Sequence, residues 1–266
     1  MESIELKYRK AKCCNSWYSN RRSSHNFPDN PASTAVISPH AGFIYSGMTS
    51  LKAVSKVKKN RIWFFGTSHY ESISKGLSVF PGDYHTSIGK SLFPKDIDNK
   101  DYNILKNYFS VEGHRTEEHS IENVLYAVNH FAESPEAFCG LVRISDKGEF
   151  ENISDDIAAI WKDGDSIIVS TDWNHFVSVK KIDKLMEGVS ELLNRGNIEE
   201  LYNDCKKRKY EACGIDSLYL AGRILEKVGE KTSFDVLEAT NSAKAVYERI
   251  NQSETCVGYL AAKNIM

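Results

Sequence analysis

The chain has 266 residues, of which 41% are hydrophobic and 26% charged, and its formal net charge is −2. These values are typical of a globular protein, and the small net charge gives no reason to expect nucleic acid or an anionic membrane as a partner. No apolar run approaches the roughly 20 residues of a membrane span, and residues 1–12 lack the apolar core of a signal peptide, so we expect a cytoplasmic protein.

Short apolar runs alternate with amphipathic stretches along the chain, which is the order of βα units. Apolar runs of four or five residues between turn signals are typical of buried parallel strands. The predicted strands are residues 34–39, 61–67, 77–80, 138–144, 166–171, 234–239 and 257–262. The predicted helices are residues 47–57, 94–109, 118–131, 153–161, 179–194 and 214–228.

The chain shows no linker, low-complexity tract or internal repeat. We therefore expect one domain over residues 1–266. Its class is α/β, a single-domain sandwich around a mostly parallel or mixed β-sheet.

Three histidines lie where predicted strands end. His40 and His69 follow the strands at residues 34–39 and 61–67, and His175 follows the strand at 166–171. Ligands of open α/β sheets collect at the carboxyl ends of the strands. A single histidine of this kind is also compatible with a structural role, but two in equivalent places favour a shared metal or proton-transfer site.

Acidic residues accompany two of these histidine segments. Asp172 precedes His175 by three positions, and an aspartate there is suited either to orienting that imidazole or to capping a following helix. Glu118, His119 and Glu122 open a predicted helix, where acidic residues interact favourably with the helix dipole. His119 and Glu122 share a helix face and could both reach a site.

Cys213 lies between two predicted helical segments, beside Gly214. A thiolate there could complete a site with two histidines, and such soft ligands suit copper, iron or zinc. The alternative is a buried structural cysteine.

Taken together, these segments resemble the Memo family, whose fold is similar to the class III extradiol (LigB-type) dioxygenases. The matching segments are Ser16-Trp17-Tyr18, Ser38-Pro39-His40-Ala41-Gly42-Phe43-Ile44-Tyr45-Ser46-Gly47, Gly66-Thr67-Ser68-His69, Glu118-His119-Ser120-Ile121-Glu122, Ser170-Thr171-Asp172-Trp173-Asn174-His175, Cys213-Gly214 and Gly258-Tyr259. They follow the family order and span nearly the whole chain.

The resemblance implies that His40, His69 and Cys213 occupy the metal-binding positions, with His175 beside them. In the dioxygenase relatives the third ligand is a carboxylate on iron(II), so Cys213 makes ring cleavage doubtful and favours an iron or copper redox role. Family members also act as signalling adaptors, and prokaryotic ones accompany an AMMECR1-like protein and a radical SAM enzyme.

Two functional hypotheses follow. In the first, His40, His69 and Cys213 hold iron or copper, while His175, oriented by Asp172, transfers protons with help from His119. In the second, the same cleft binds a peptide or protein without turnover. Its expected lining is Trp17, Tyr18, Tyr45, Glu118 and Glu122. A weaker third hypothesis is hydrolysis at a zinc site, with one of the two glutamates as base.

Overall fold

The structure is a computed structural model, and it describes residues 7–13, 27, 33–246 and 255–265. The helices of this part are α1 (Phe43–Val54), α2 (Asn99–Leu105), α3 (His119–Val128), α4 (Lys147–Ala159), α5 (Val179–Arg195), α6 (Ile198–Lys206), α7 (Ile215–Lys227) and α8 (Ser242–Val246). The strands are β1 (Lys7–Arg9), β2 (Ala35–Ser38), β3 (Arg61–Thr67), β4 (Leu77–Val79), β5 (Gly82–His85), β6 (Lys90–Ser91), β7 (Glu136–Val142), β8 (Asp165–Ser170), β9 (Trp173–Ser178), β10 (Phe234–Asn241) and β11 (Thr255–Asn264).

The large sheet has the strand order β10-β11-β2-β8-β3-β7-β4, and β9 pairs with β11 beside this path. Its four central strands, β2, β8, β3 and β7, run parallel to one another. Antiparallel strands close it on both sides, with β4 on β7 and β11 on β2. The predicted α/β class with a mixed sheet is therefore confirmed.

Helices cover both faces of this sheet because the central strands are apolar on both sides. Along β3, Trp63 and Phe65 belong to one core while Ile62 and Phe64 belong to the other. Helices α4, α5, α6 and α7 contribute to the first core, and α1 and α3 to the second. This alternation is the pattern expected of a strand buried between two layers.

The predicted elements differ from the structure mainly at their ends and in polar stretches. The helix predicted at 94–109 shrinks to α2, because Asp98 accepts a hydrogen bond from the Asp101 amide and starts the helix there. The helix predicted at 153–161 begins earlier, as α4 at Lys147. Strand β9 and helix α6 were not predicted. Within the described residues, no helix is long and apolar enough to cross a membrane.

A second, three-stranded sheet of β1, β5 and β6 ties the first described residues to the body of the protein. Arg9 of β1 donates to Glu122 of α3 at 2.7 Å, and both side chains are almost completely buried. The backbone amides of Lys12 and Cys13 donate to the same carboxylate at 2.9–3.0 Å. Because a buried carboxylate needs such donors, Glu122 holds residues 9–13 against α3.

His114 links the two sheets. Its ring is 2% exposed and packs against Phe80 and Tyr84, with ring centroids 5.6 and 5.9 Å away. Its Nε2 lies 2.9 Å from the Ser78 carbonyl oxygen, to which it donates. Burial lowers the pKa of His114 to about 4.

We expect this buried imidazole to make the fold acid-sensitive. An unfolded histidine titrates near pH 6.5, so between about pH 6.5 and 4 the unfolded chain binds a proton that the folded chain does not. The contribution of His114 to the free energy of unfolding is therefore complete above pH 6.5. It falls by at most about 3 kcal/mol as the pH drops towards 4.

The His114→Gln variant tests this, because glutamine keeps a donor for the Ser78 carbonyl but does not titrate. Its free energy of unfolding should fall less than that of the wild type between about pH 7 and pH 4.5, by about 2 kcal/mol. Denaturant titrations at several pH values measure the difference, with His85→Gln as the control at a half-buried position. Identical pH profiles for wild type and His114→Gln would contradict the assignment.

Candidate metal centre

Three neighbouring strands bring polar side chains to one edge of the large sheet. His40, His69 and Asp172 each follow, by two positions, the last residue of β2, β3 and β8. Because β8 lies between β2 and β3 and all three are parallel, their carboxyl ends open onto the same space. The sheet order therefore places these residues together, although β8 is far from the other two strands in sequence.

His40, His69 and Cys213 form a compact cluster. One nitrogen from each histidine and the Cys213 Sγ all lie within 4.8 Å of one another. The His40 Nε2 is 3.3 Å from Sγ, and the two imidazole centroids are 5.1 Å apart. A tetrahedral ion with bonds of about 2.0 Å to nitrogen and about 2.3 Å to sulfur separates such ligands by roughly 3.5 Å. The observed spacing fits that requirement.

The proton of the His40 ring is fixed by a chain of hydrogen bonds. Ser170 donates its hydroxyl proton to the Ser120 carbonyl, so its oxygen can only accept from the His40 Nδ1, which lies 2.7 Å away. The Nδ1 position therefore carries the proton. The lone pair of Nε2 is left facing Cys213.

His69 has the same arrangement with a stronger acceptor. Its backbone amide and its Nδ1 donate to the two carboxylate oxygens of Glu118, at 2.7 and 2.8 Å. Glu118 also caps α3 by accepting from the Ser120 amide. Burial opposes ionisation of Glu118, but the hydrogen bonds from His69 outweigh it and lower the pKa of this carboxyl. The Nε2 of His69 is again left as a free lone pair.

The electrostatics of the cluster favour a cation. Burial, reinforced by the neighbouring His119 and His69 rings, pushes the pKa of His40 well below its usual value and keeps the ring neutral. Burial and the nearby Asp172 raise the pKa of the Cys213 thiol to about 12. The hydrogen-bond partners of the two rings within the described residues are a serine and a carboxylate, and that of the sulfur is an amide. A bound cation would lower the energy of the thiolate.

Cys213 reaches the cluster because the chain before α7 passes very close to the end of β8. A Cβ added at Gly214 would lie 2.3 Å from the Ser170 carbonyl oxygen and 2.8 Å from Thr171 Cβ. Only glycine allows this approach. The Asp172 amide donates to the Cys213 Sγ at 3.2 Å, which fixes the direction of the sulfur.

Asp172 does not orient His175, contrary to the sequence-based expectation. Its Oδ1 accepts from the His40 amide at 2.9 Å, and its Oδ2 lies 3.9 Å from the His40 Nε2. Burial raises the pKa of this carboxyl to about 7. Nor does Asp172 cap a helix, because strand β9 follows it. The carboxylate beside the His175 Nδ1 is instead Glu211, at 3.4 Å.

His119 and Glu122, expected to share the cleft, have separate environments. The His119 ring stacks on His69 at 4.3 Å and lies 5.2 Å from His40, so it borders the cluster. A second possible ligand group consists of His69, Glu118 and His119, but there the carboxylate already accepts from His69. Glu122 binds Arg9 and residues 12–13 instead of the cleft.

Exposed aromatic side chains follow the histidines in sequence, Tyr70 and Phe176 directly after His69 and His175 and Tyr45 five positions after His40. The exposed fractions are 44% for Tyr45, 54% for Tyr70 and 79% for Phe176. Tyr70 contacts His119, and Phe176 adjoins the His175 ring at 6.3 Å between centroids. We call these three residues the aromatic rim. Trp17 and Tyr18, which were expected in this lining, lie outside the described residues.

The backbone on both sides of His175 is strained. Asn174 and Phe176 have φ values of +47° and +56°, a conformation that asparagine tolerates but that is costly for a bulky residue such as Phe176. Hydrogen bonds hold the turn, since the Asn174 amide donates to the Glu211 carbonyl and its side chain accepts from the Glu211 amide. The surrounding structure thus forces an exposed Phe176 into an unfavourable conformation.

The sequence interpretation gave no role to three residues that organise the site, namely Ser120, Ser170 and Glu211. Ser170 is the last residue of a strand and Ser120 lies in the first turn of a helix, positions that are common for polar residues of any role. Their function depends on a hydrogen-bond direction that only three-dimensional contacts reveal. Glu211 lies in a polar stretch that carries no motif.

The fold and cluster together define a class of protein, an α/β sandwich with two histidines and a cysteine at the carboxyl edge of a mixed sheet. Comparison with known families narrows this class. A family model described as Memo-like protein matches residues 9–263, nearly the whole chain. The chain therefore belongs to the Memo family.

Curated relatives agree with this assignment. A MEMO1 family protein of Thermoplasma volcanium is 24% identical, over 84% of this chain and 82% of its own length. One from Aquifex aeolicus is 28% identical, over 68% of each chain. One from Saccharolobus solfataricus is 24% identical, over 85% of this chain and 81% of its own.

Proposed function

We propose that this Memo-family protein binds iron or copper through His40, His69 and Cys213 and has a redox role. The observation that carries the proposal is the pair of fixed tautomers, in which Ser170 and Glu118 take the Nδ1 protons and leave both Nε2 lone pairs free, that of His40 at 3.3 Å from the Cys213 thiol. Two imidazoles and a thiolate are soft ligands, and they favour copper, iron or zinc over magnesium or calcium. Iron or copper bound there would supply one-electron redox chemistry.

Two further histidines border the cluster. Burial lowers the pKa values of His119 and His175, so both rings are neutral near pH 7, and in this proposal they exchange protons with the bound molecule. Asp172, 5% exposed, holds the His40 backbone in place through its Oδ1. Ring cleavage of the dioxygenase type is not part of the proposal, because a thiol occupies the third ligand position. The cytoplasmic location and the association with AMMECR1-like and radical SAM proteins stay predictions.

Metal analysis of anaerobically purified protein tests the ligand set. We expect about one iron or copper per chain in the wild type, and a loss of most of it in Cys213→Ser and His40→Ala, because each variant removes one of three ligands. Cys205→Ser is the matched control, since this half-buried cysteine of α6 is outside the cluster. Wild-type protein without stoichiometric metal after loading with either ion would contradict the proposal.

The role of Glu118 can be separated from that of the ligands. We expect Glu118→Gln to weaken metal binding about 10- to 100-fold while the fold persists, because a carboxylate that holds the imidazole proton raises ligand basicity. Competition with a chelator of known affinity measures the change. Glu117→Gln is the control, because it removes the same charge at the neighbouring exposed position. Equal effects of the two variants would mean that Glu118 acts only through its charge.

A second candidate function, binding of a peptide or protein without turnover, is favoured by the aromatic rim. Phe176 is 79% exposed and held at positive φ, a combination that stability alone does not explain. Exposed aromatic residues beside a cleft are typical of residues that dominate the binding energy of interfaces. This use of the cleft needs no metal.

Peptide selection on the purified protein tests this second function. We expect Phe176→Asn to weaken the selected peptides at least about tenfold, because asparagine tolerates positive φ while the aromatic contact is lost. Tyr8→Ser removes an exposed aromatic of the small sheet and serves as control. Binding that survives Cys213→Ser but not Phe176→Asn would favour the binding function, whereas the selection of no Phe176-dependent peptide would count against it.

A further inference from the structure

Apart from the candidate metal centre, a cavity lies beside the small sheet, between β1 and the loop that precedes α3. Its volume is about 550 Å³, within the range of small-molecule sites. Lys10, Lys12 and Arg115 line it, together with Tyr8, Phe80 and His114. We call this space the β1 cavity. It shares no lining residue with the metal centre.

The charge of the β1 cavity is positive, although Arg115 also interacts electrostatically with the nearby Glu112. Lys10, Lys12 and Arg115 are exposed, and none of the three side chains forms a salt bridge within the described chain. Arg9 differs, because it is held by Glu122 and by the carbonyl oxygens of His114 and Thr116. Among the described residues that line the cavity there is no carboxylate. Three cations without a salt bridge around one concave space favour a multiply charged anion.

Aromatic side chains give the β1 cavity an apolar surface as well. Tyr8 is 57% exposed and stacks on His85, with ring centroids 5.2 Å apart and planes 27° from parallel. Phe80 is almost fully buried and lines the same space. An exposed ring held flat by a stacked partner is a ready surface for another planar ring.

We propose that the β1 cavity binds a nucleotide, a phosphorylated small molecule with a planar ring. Lys10, Lys12 and Arg115 bind the phosphates, and Tyr8 stacks with the ring. The proposal does not depend on the metal centre, so it is testable in Cys213→Ser protein as well as in the wild type.

Calorimetric titration of the full chain at physiological salt tests the proposal with four probes: ATP, ADP, inorganic tripolyphosphate and adenosine. We expect ATP to bind more tightly than either tripolyphosphate or adenosine, because both the phosphates and the ring make contacts. The triple variant Lys10→Gln, Lys12→Gln, Arg115→Gln should weaken ATP at least about tenfold. Tyr8→Ser should weaken ATP but leave tripolyphosphate unchanged.

The matched control removes three exposed lysines of α5, as Lys180→Gln, Lys181→Gln and Lys184→Gln, so that the change in net charge is the same. It should leave ATP affinity within about twofold of the wild type, since long-range effects of exposed charges are screened. Equal loss in the two triple variants would overturn the proposal by showing non-specific attraction. Undetectable ATP binding, or tripolyphosphate binding as tightly as ATP, would also overturn it.

Discussion

Buried oxygen atoms hold the Nδ1 protons of both His40 and His69, and the candidate metal centre depends on this arrangement. A neutral imidazole has one donor and one acceptor nitrogen, so fixing the proton on one side fixes the lone pair on the other. For His40 the acceptor is a serine hydroxyl whose own proton is engaged elsewhere, and for His69 it is a carboxylate. The orientation of the two lone pairs is thus fixed by residues outside the cluster of His40, His69 and Cys213.

The parallel sheet supplies these neighbours as well as the ligands. Ser170 ends β8, and Ser120 and Glu118 start α3, which packs over the strands on the α1 face. The Ser120 hydroxyl forms two hydrogen bonds with the backbone of Thr67 at the end of β3. It donates to the Thr67 carbonyl and accepts from the Thr67 amide. The start of α3 is therefore fixed to the end of β3, and this is why Glu118 meets His69 in the required orientation.

Sequence patterns predicted the features that depend on residues close together in the chain. Apolar runs gave the central strands, and the shared edge of parallel strands predicted that His40 and His69 would meet. Strand β9 was missed because Asn174 and Phe176 interrupt the extended backbone with positive φ, and because its partner β11 comes much later in the chain. The predicted contact between Asp172 and His175 was also wrong, because the turn around His175 directs its ring towards Glu211.

The segment from Glu118 to Glu122 is a motif that can be recognised in the sequence although the roles of its residues cannot. The two glutamates are one helical turn apart, and both are fully buried. Glu118 accepts from His69 and serves the cluster, whereas Glu122 accepts from Arg9 and from the amides of residues 12–13. A carboxylate buried without donors would be costly, so each glutamate requires its own partners. One turn of α3 thus fixes a metal-ligand candidate on one side and the strand that borders the β1 cavity on the other.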